Sequence, residues 1–173
     1  MRQQSLRPGD VVVALQLSIT PGVQLQRLAD DAGRSIGEVH NAIARLQASG
    51  LVDPASRRLE REPFIQFVRW GVPFAFPPAT GGFTIGMATA RTVADGSTDE
   101  PAQAEFVWPL ATGVSRGESI APLHPRVPEI AGRNPALRTL LSLVDLVRVG
   151  GTRERNAAMT EIEQLLQPAA SGG

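Results

Sequence analysis

Cysteine, lysine and tyrosine are all absent from this 173-residue chain. Without cysteine there are no disulfides and no thiolate ligands, so the core alone must hold the fold, and nothing argues for an oxidising compartment. Without lysine, every one of the 17 basic side chains is Arg, a bias read mainly as that of a GC-rich genome. Long apolar runs are missing too. None approaches the roughly 20 residues that span a bilayer, and the opening Met-Arg-Gln-Gln-Ser-Leu-Arg-Pro-Gly-Asp lacks the apolar centre of a signal peptide. The expectation is a soluble, cytoplasmic protein with no membrane association.

Charge of one sign is also lacking. The 17 basic residues balance 17 acidic ones, which argues against an indiscriminate polyanion binder. Residues 1–70 hold nine Arg against seven acids, residues 71–132 three against six, and residues 133–173 five against four. Any nucleic-acid surface must therefore be a local patch.

Catalytic chemistry finds little support. The only two histidines, His40 and His124, are far apart, and no carboxylates sit at ligand spacing, so no metal site is expected. The run Gly-Gly-Phe-Thr-Ile-Gly at residues 81–86 lacks both the Lys-Ser/Thr of a phosphate loop and dinucleotide-site spacing, and turn duty is its expected role. No Ser-His-Asp set is legible. Glu161 and Glu163 are two apart on a helix and do not face each other. No catalytic residue, cofactor or enzymatic activity is expected.

What the chain has is 42% hydrophobic residues, enough for a sizeable core, and one stretch marked at both ends. In residues 35–51, Ser35 followed by Glu38 forms a capping box and Gly50 offers a left-handed stop. Ile36, Val39, Ile43 and Leu46 make an apolar stripe at helical period, with Ala42 at its edge. The opposite face carries Gly37, Asn41, Ala44, Arg45 and Ala48, small and thinly charged, so it can approach another surface closely. His40, about a quarter-turn from the stripe, is expected to pack partly buried.

Upstream, Asp10 is expected to cap a helix over residues 11–19, ended by Pro21-Gly22. Its Val-Val-Val-Ala-Leu run fits a buried strand as well, and context selects the helix. Leu25, Leu28, Ala29 and Ala32 mark another helix closed by Gly33, giving two helices joined by a short turn. Residues 51–53 and 58–60 flank the turn-forming Pro54-Ala55-Ser56 as a small hairpin.

This order, from Leu28-Ala29-Asp30-Asp31-Ala32-Gly33 through residues 35–39 and Ile43-Ala44-Arg45-Leu46 into Ser49-Gly50-Leu51-Val52, resembles the winged helix-turn-helix domain of bacterial transcription regulators, especially the MarR-like group, over about residues 10–62. The resemblance implies double-stranded DNA as partner, with residues 35–49 as the recognition helix in the major groove, and terminal helices that form a homodimer. Asn41 would bond adenine, Arg45 guanine or phosphate, and Ala44 a thymine methyl, with Gly37 allowing close approach. Arg34 and Ser35 suit phosphate oxygens. Arg57 and Arg58 would grip a phosphate or minor groove, or else pair with Glu60 and Glu62.

Beyond it, a helix is expected near residues 62–71, with Trp70 packing at its end. Residues 71–133 hold eight of the fourteen prolines and read as irregular, with short strands at residues 83–87 and 105–108, a mobile loop at 95–103, and Phe74, Phe76, Trp108 and Leu123 as anchors. Asn134-Pro135 opens a strongly apolar helix to Val149. Thr152 caps another that ends before Pro168, and residues 169–173 are expected to fray.

The expected fold class is mainly α with a small β-hairpin: a winged helix-turn-helix domain (8–71), an irregular Pro/Gly-rich segment packing on it (72–133), and a C-terminal helical hairpin (134–168) serving internal packing or dimerisation. The expected function is a sequence-specific DNA-binding homodimer that regulates transcription. The alternative is a protein-interaction adaptor or antitoxin-like partner, in which the winged helix is structural and residues 71–133 wrap another protein.

Overall fold

The computed structural model describes residues 3–92 and 101–168, so most of the loop expected at 95–103 and the tail at 169–173 lie outside the described residues, while Gln103, the last residue of that loop, begins a strand. The first helix, α1 (Pro8–Ile19), begins earlier than Asp10, because Pro8 takes the first helical position, where its missing N–H costs nothing. Arg7 is the cap residue, and Asp10 instead lies in the first turn, its carboxylate accepting the Arg7 amide at 2.9 Å. Residues 9–17 are buried without interruption, because α1 lies between helices on two sides, which is why its sequence reads as all-apolar rather than striped.

Helix α2 (Leu25–Ala32) ends on Gly33 at φ 59°, and α3 (Ile36–Ala48) starts three residues on. The capping box forms: Ser35 Oγ accepts the Glu38 amide at 3.2 Å and Glu38 Oε2 accepts the Ser35 amide at 2.9 Å. Gly50 takes the left-handed stop at φ 74°. The expected hairpin shrinks to one bridge, Val52 with Leu59, around a turn in which the Asp53 carboxylate accepts the Ser56 amide. Helix α4 (Arg61–Trp70) and the single turn α5 (Val72–Ala75) follow.

Among the described residues the middle of the chain forms a three-stranded sheet, which contains the short strands expected at 83–87 and 105–108 and corrects the expectation that the rest of the segment is irregular. Strands β1 (Thr80–Thr89), β2 (Gln103–Pro109) and β3 (Ser115–Ile120) each pair with both others, β1 antiparallel to each and β2 parallel to β3. The Gly-Gly-Phe-Thr-Ile-Gly run is therefore strand, not turn. Gly86 is where β1 changes partners, facing Pro109 on one side and Ser115 on the other. A Cβ there would lie 2.1 Å from the Trp108 carbonyl oxygen, and one on Gly113 2.2 Å from that of Gly86. Only glycine lets three backbones close this tightly.

Helix α6 (Val127–Arg133) leads into α7 (Pro135–Val149), capped as expected by Asn134 Oδ1 accepting the Leu137 amide at 3.0 Å. The last helix, α8 (Thr152–Leu165), is capped by Gly151 rather than Thr152, with the Glu154 carboxylate on the Gly151 amide at 2.6 Å. Helix α7 is the hub. It touches α1, α4, α5, α6, α8 and β1, so its apolar excess, Leu143 and Leu146 included, is consumed within the chain. All three expected segments share one hydrophobic core, in which Trp108, Phe64 and Leu137 are fully buried, each such side chain worth about 1.5–3 kcal/mol.

Of the expected anchors, Trp108 and Leu123 are buried and Phe76 packs edge-on against Phe67, whereas Phe74 is 74% exposed and Trp70 67%. Two charged residues of α7 lie inside. Asp145 accepts Trp108 Nε1 at 2.6 Å, Thr89 Oγ1 at 2.9 Å and Arg148 Nη1 at 2.8 Å. Arg148 in turn donates to the carbonyls of Phe76, Pro77 and Ala121. Burial pushes the Asp145 carboxyl up, against the pull of Arg148, Thr89 and Trp108. The pair ties α7 to both ends of the sheet.

Candidate nucleic-acid interface

Helix α3 rests its Val39, Ala42, Ile43 and Leu46 stripe on α1 and α2 and turns the rest outward. Gly37, His40 and Asn41 are exposed and Ala44 is half-buried. His40 is thus not the packing residue expected, since its place beside Asn41 leaves it on the solvent side. Ile36, assigned to the core stripe, is 42% exposed because it sits at the helix start beyond the reach of α1.

Two expected phosphate or base contacts are engaged elsewhere. Arg45 forms a two-pronged pair with Asp10, Nε to Oδ2 and Nη2 to Oδ1, both at 2.8 Å. Asp10 is 1% exposed, so the guanidinium is drawn down onto α1 and does not stand out from the helix. Arg34 is half-buried, with Nη1 donating to the Gly9 carbonyl at 3.3 Å, and burial lowers its pKa. Ser35 is also occupied, since its hydroxyl serves the capping box and donates to Glu38 at 2.8 Å. Those contacts hold the Glu38 carboxyl below its ordinary range, fixing a negative charge at the helix start, where a phosphate was expected.

No family model, curated protein or solved structure matches this chain.

Arg57 and Arg58 sit on the turn after α3, Arg58 exposed and Arg57 half-buried in a left-handed backbone at φ 56°. Of their alternative partners Glu60 and Glu62, Glu62 pairs with Arg61 instead. Beside α3 runs a segment that sequence reasoning passed over, residues 3–7, which is mostly exposed and flanks an open trough of 420 Å³ against Asn41, Ala44 and Arg45. The signal for it was indirect: an acid in the first turn of a Pro-initiated helix reaches back to the preceding amide.

Behind the helix start lies His124, in the loop between β3 and α6 and half-buried against Gly9. Its Nδ1 accepts the Arg126 amide at 3.1 Å, so Nε2 carries the proton in the neutral ring. Burial, and the Arg34 guanidinium after it, push its pKa down. A second surface lies apart from α3: Trp70 and Phe74 flank a 150 Å³ groove floored by Val147 and Met159, with Arg155 at its rim. Among the described residues no group of three or more acids and histidines is placed to hold a metal, and no helix is long and apolar enough to cross a membrane.

Proposed function

We propose that the protein binds double-stranded DNA in a sequence-specific manner and regulates transcription, with the outer face of α3 as its reading surface. The observation that carries this is the bare strip Gly37, His40 and Asn41 on a helix braced from behind by α1 and α2. A Cβ at Gly37 would meet nothing within 4 Å, so a base edge can come close to the backbone there. Asn41 carries the amide that matches adenine N6 and N7 in the major groove. The cations of the interface are Arg57, Arg58 and Arg7, in place of Arg34 and Arg45. Their small number predicts modest affinity per chain and favours a homodimer.

The test is selection of a duplex from a random pool, followed by fluorescence anisotropy. Asn41→Ala should weaken the selected site by about 1–3 kcal/mol while leaving Tm in place. A full chain that retains no duplex at low salt defeats the reading.

One observation favours the adaptor instead. Trp70 and Phe74 are exposed side by side beside an apolar groove, the composition that anchors protein contacts. On the DNA reading the same face, with Leu165 of α8 also 52% exposed, is where the dimer closes. Sedimentation of Trp70→Ala separates the two: loss of a dimer assigns the groove to self-association, and a monomer throughout assigns it to another protein.

A further inference from the structure

We infer that residues 3–7 form a second reading arm, and that the trough between this arm and α3 seats one phosphodiester strand of the duplex. This rests on the DNA reading of α3 and adds to it an interface element outside the helix-turn-helix. Asp10 builds the geometry. One buried carboxylate accepts the Arg7 amide at 2.9 Å and both prongs of Arg45 at 2.8 Å, so the base of the arm and the middle of α3 are held at a fixed separation. Leu6 packs on the core, whereas Gln3, Gln4 and Ser5 are exposed. The arm is therefore anchored at Leu6 and Arg7 and exposed along Gln3, Gln4 and Ser5.

The chemistry of the trough suits a nucleic-acid strand. Its 420 Å³ lies between Gln3, Gln4 and Arg7 on one wall and Asn41 and Arg45 on the other, and no lining residue is acidic. The Arg45 charge is balanced by Asp10, which leaves Arg7 as the uncompensated cation, and it is the Arg7 amide, not its guanidinium, that Asp10 holds. In a duplex a single strand backbone divides the major groove from the minor. A helix reading one groove and an arm reading the other must leave a gap for that strand, with a cation beside it. Past the strand, the Gln3 and Gln4 amides meet the adenine N3 and thymine O2 acceptors of the minor groove.

The experiment uses the full chain, Arg7→Ala, Asn41→Ala and a variant lacking residues 2–5, all on the duplex selected by the full chain. Affinity is measured by anisotropy across roughly 50–200 mM salt. Removing residues 2–5 should weaken binding about tenfold, and Arg7→Ala should flatten the plot of log K against log salt by about 0.9, one phosphate's share. A minor-groove ligand of the netropsin type should compete with the full chain and not with the shortened one. Unchanged or tighter binding by the shortened chain, with Asn41→Ala still weakened, overturns the arm and leaves α3 standing; it would mean that the segment merely shields Asn41. A full chain with no duplex affinity overturns both.

Discussion

Replacing Arg45 by Ala distinguishes a residue that reads DNA from one that holds the fold, because the two roles predict opposite pairs of outcomes. In the structure both Arg45 prongs meet Asp10 at 2.8 Å, and Asp10 is 1% exposed. Truncation leaves a buried carboxylate whose remaining partner is the Arg7 amide. Breaking a buried pair by removing one partner costs about 3–5 kcal/mol. The surviving amide and the slight exposure of Arg45 place this case near 3 kcal/mol, at the lower end. For a chain of this length 1 kcal/mol shifts Tm by about 2–4 °C, so the expected loss is about 6–12 °C. Thermal unfolding by circular dichroism measures it, with Asn41→Ala as the control that should move by less than about 2 °C. A Tm within about 2 °C of the parent, together with a large loss of DNA affinity, would refute the reasoning and return Arg45 to the groove.

Three other perturbations report on the same framework. Asp145→Ala should cost about 3–5 kcal/mol in urea unfolding, because Arg148 is left uncompensated and Trp108 Nε1 and Thr89 Oγ1 lose their acceptor; Asp145→Leu with Arg148→Met should recover part of it. Gly86→Val should abolish cooperative unfolding, since its Cβ would fall 2.1 Å from the Trp108 carbonyl oxygen, and a native-like transition would disprove the triple closure. The lowered pKa of His124 means that its contribution to stability is complete above the ordinary histidine value of about 6.5 and is lost as pH falls through the lower folded value. Urea midpoints compared at pH 7.5 and 5.5 should fall more for the parent than for His124→Asn.

The helices were legible where their signals are local. Ser35 with Glu38, Asn134 with Pro135, and Gly33 and Gly50 each mark an end by chemistry confined to a few residues, and the structure shows those ends. Parts of β1 and β2 were legible as the short strands expected at 83–87 and 105–108, but β3 and the pairing were hidden because their determinants are not local. Ser-Arg-Gly-Glu-Ser-Ile has no apolar alternation, and it becomes β3 through pairing with two other strands and a glycine at the closest approach. The candidate site was legible as a surface and not as a set of charges. Helical period placed Gly37, Asn41 and Ala44 on the outer face, but it could not show that Arg45 bends back to an acid 35 residues away. Asp145 and Arg148 did leave a trace in the sequence, an acid and a base three apart inside a Leu/Val run, where an unpaired charge would be prohibitive.

The position of α1 against α7 bears on how this chain is made. The Val-Val-Val-Ala-Leu run leaves the ribosome long before Pro135, where one of the two helices that cover it begins. Until then a β-prone apolar segment lacks its full cover, the circumstance in which nascent chains aggregate or recruit chaperones. The three N-terminal helices are thus a unit of shape and not a unit of folding. A fragment cut after the residue 53–58 turn would keep α3 and expose the back of α1, and it should come out of expression insoluble.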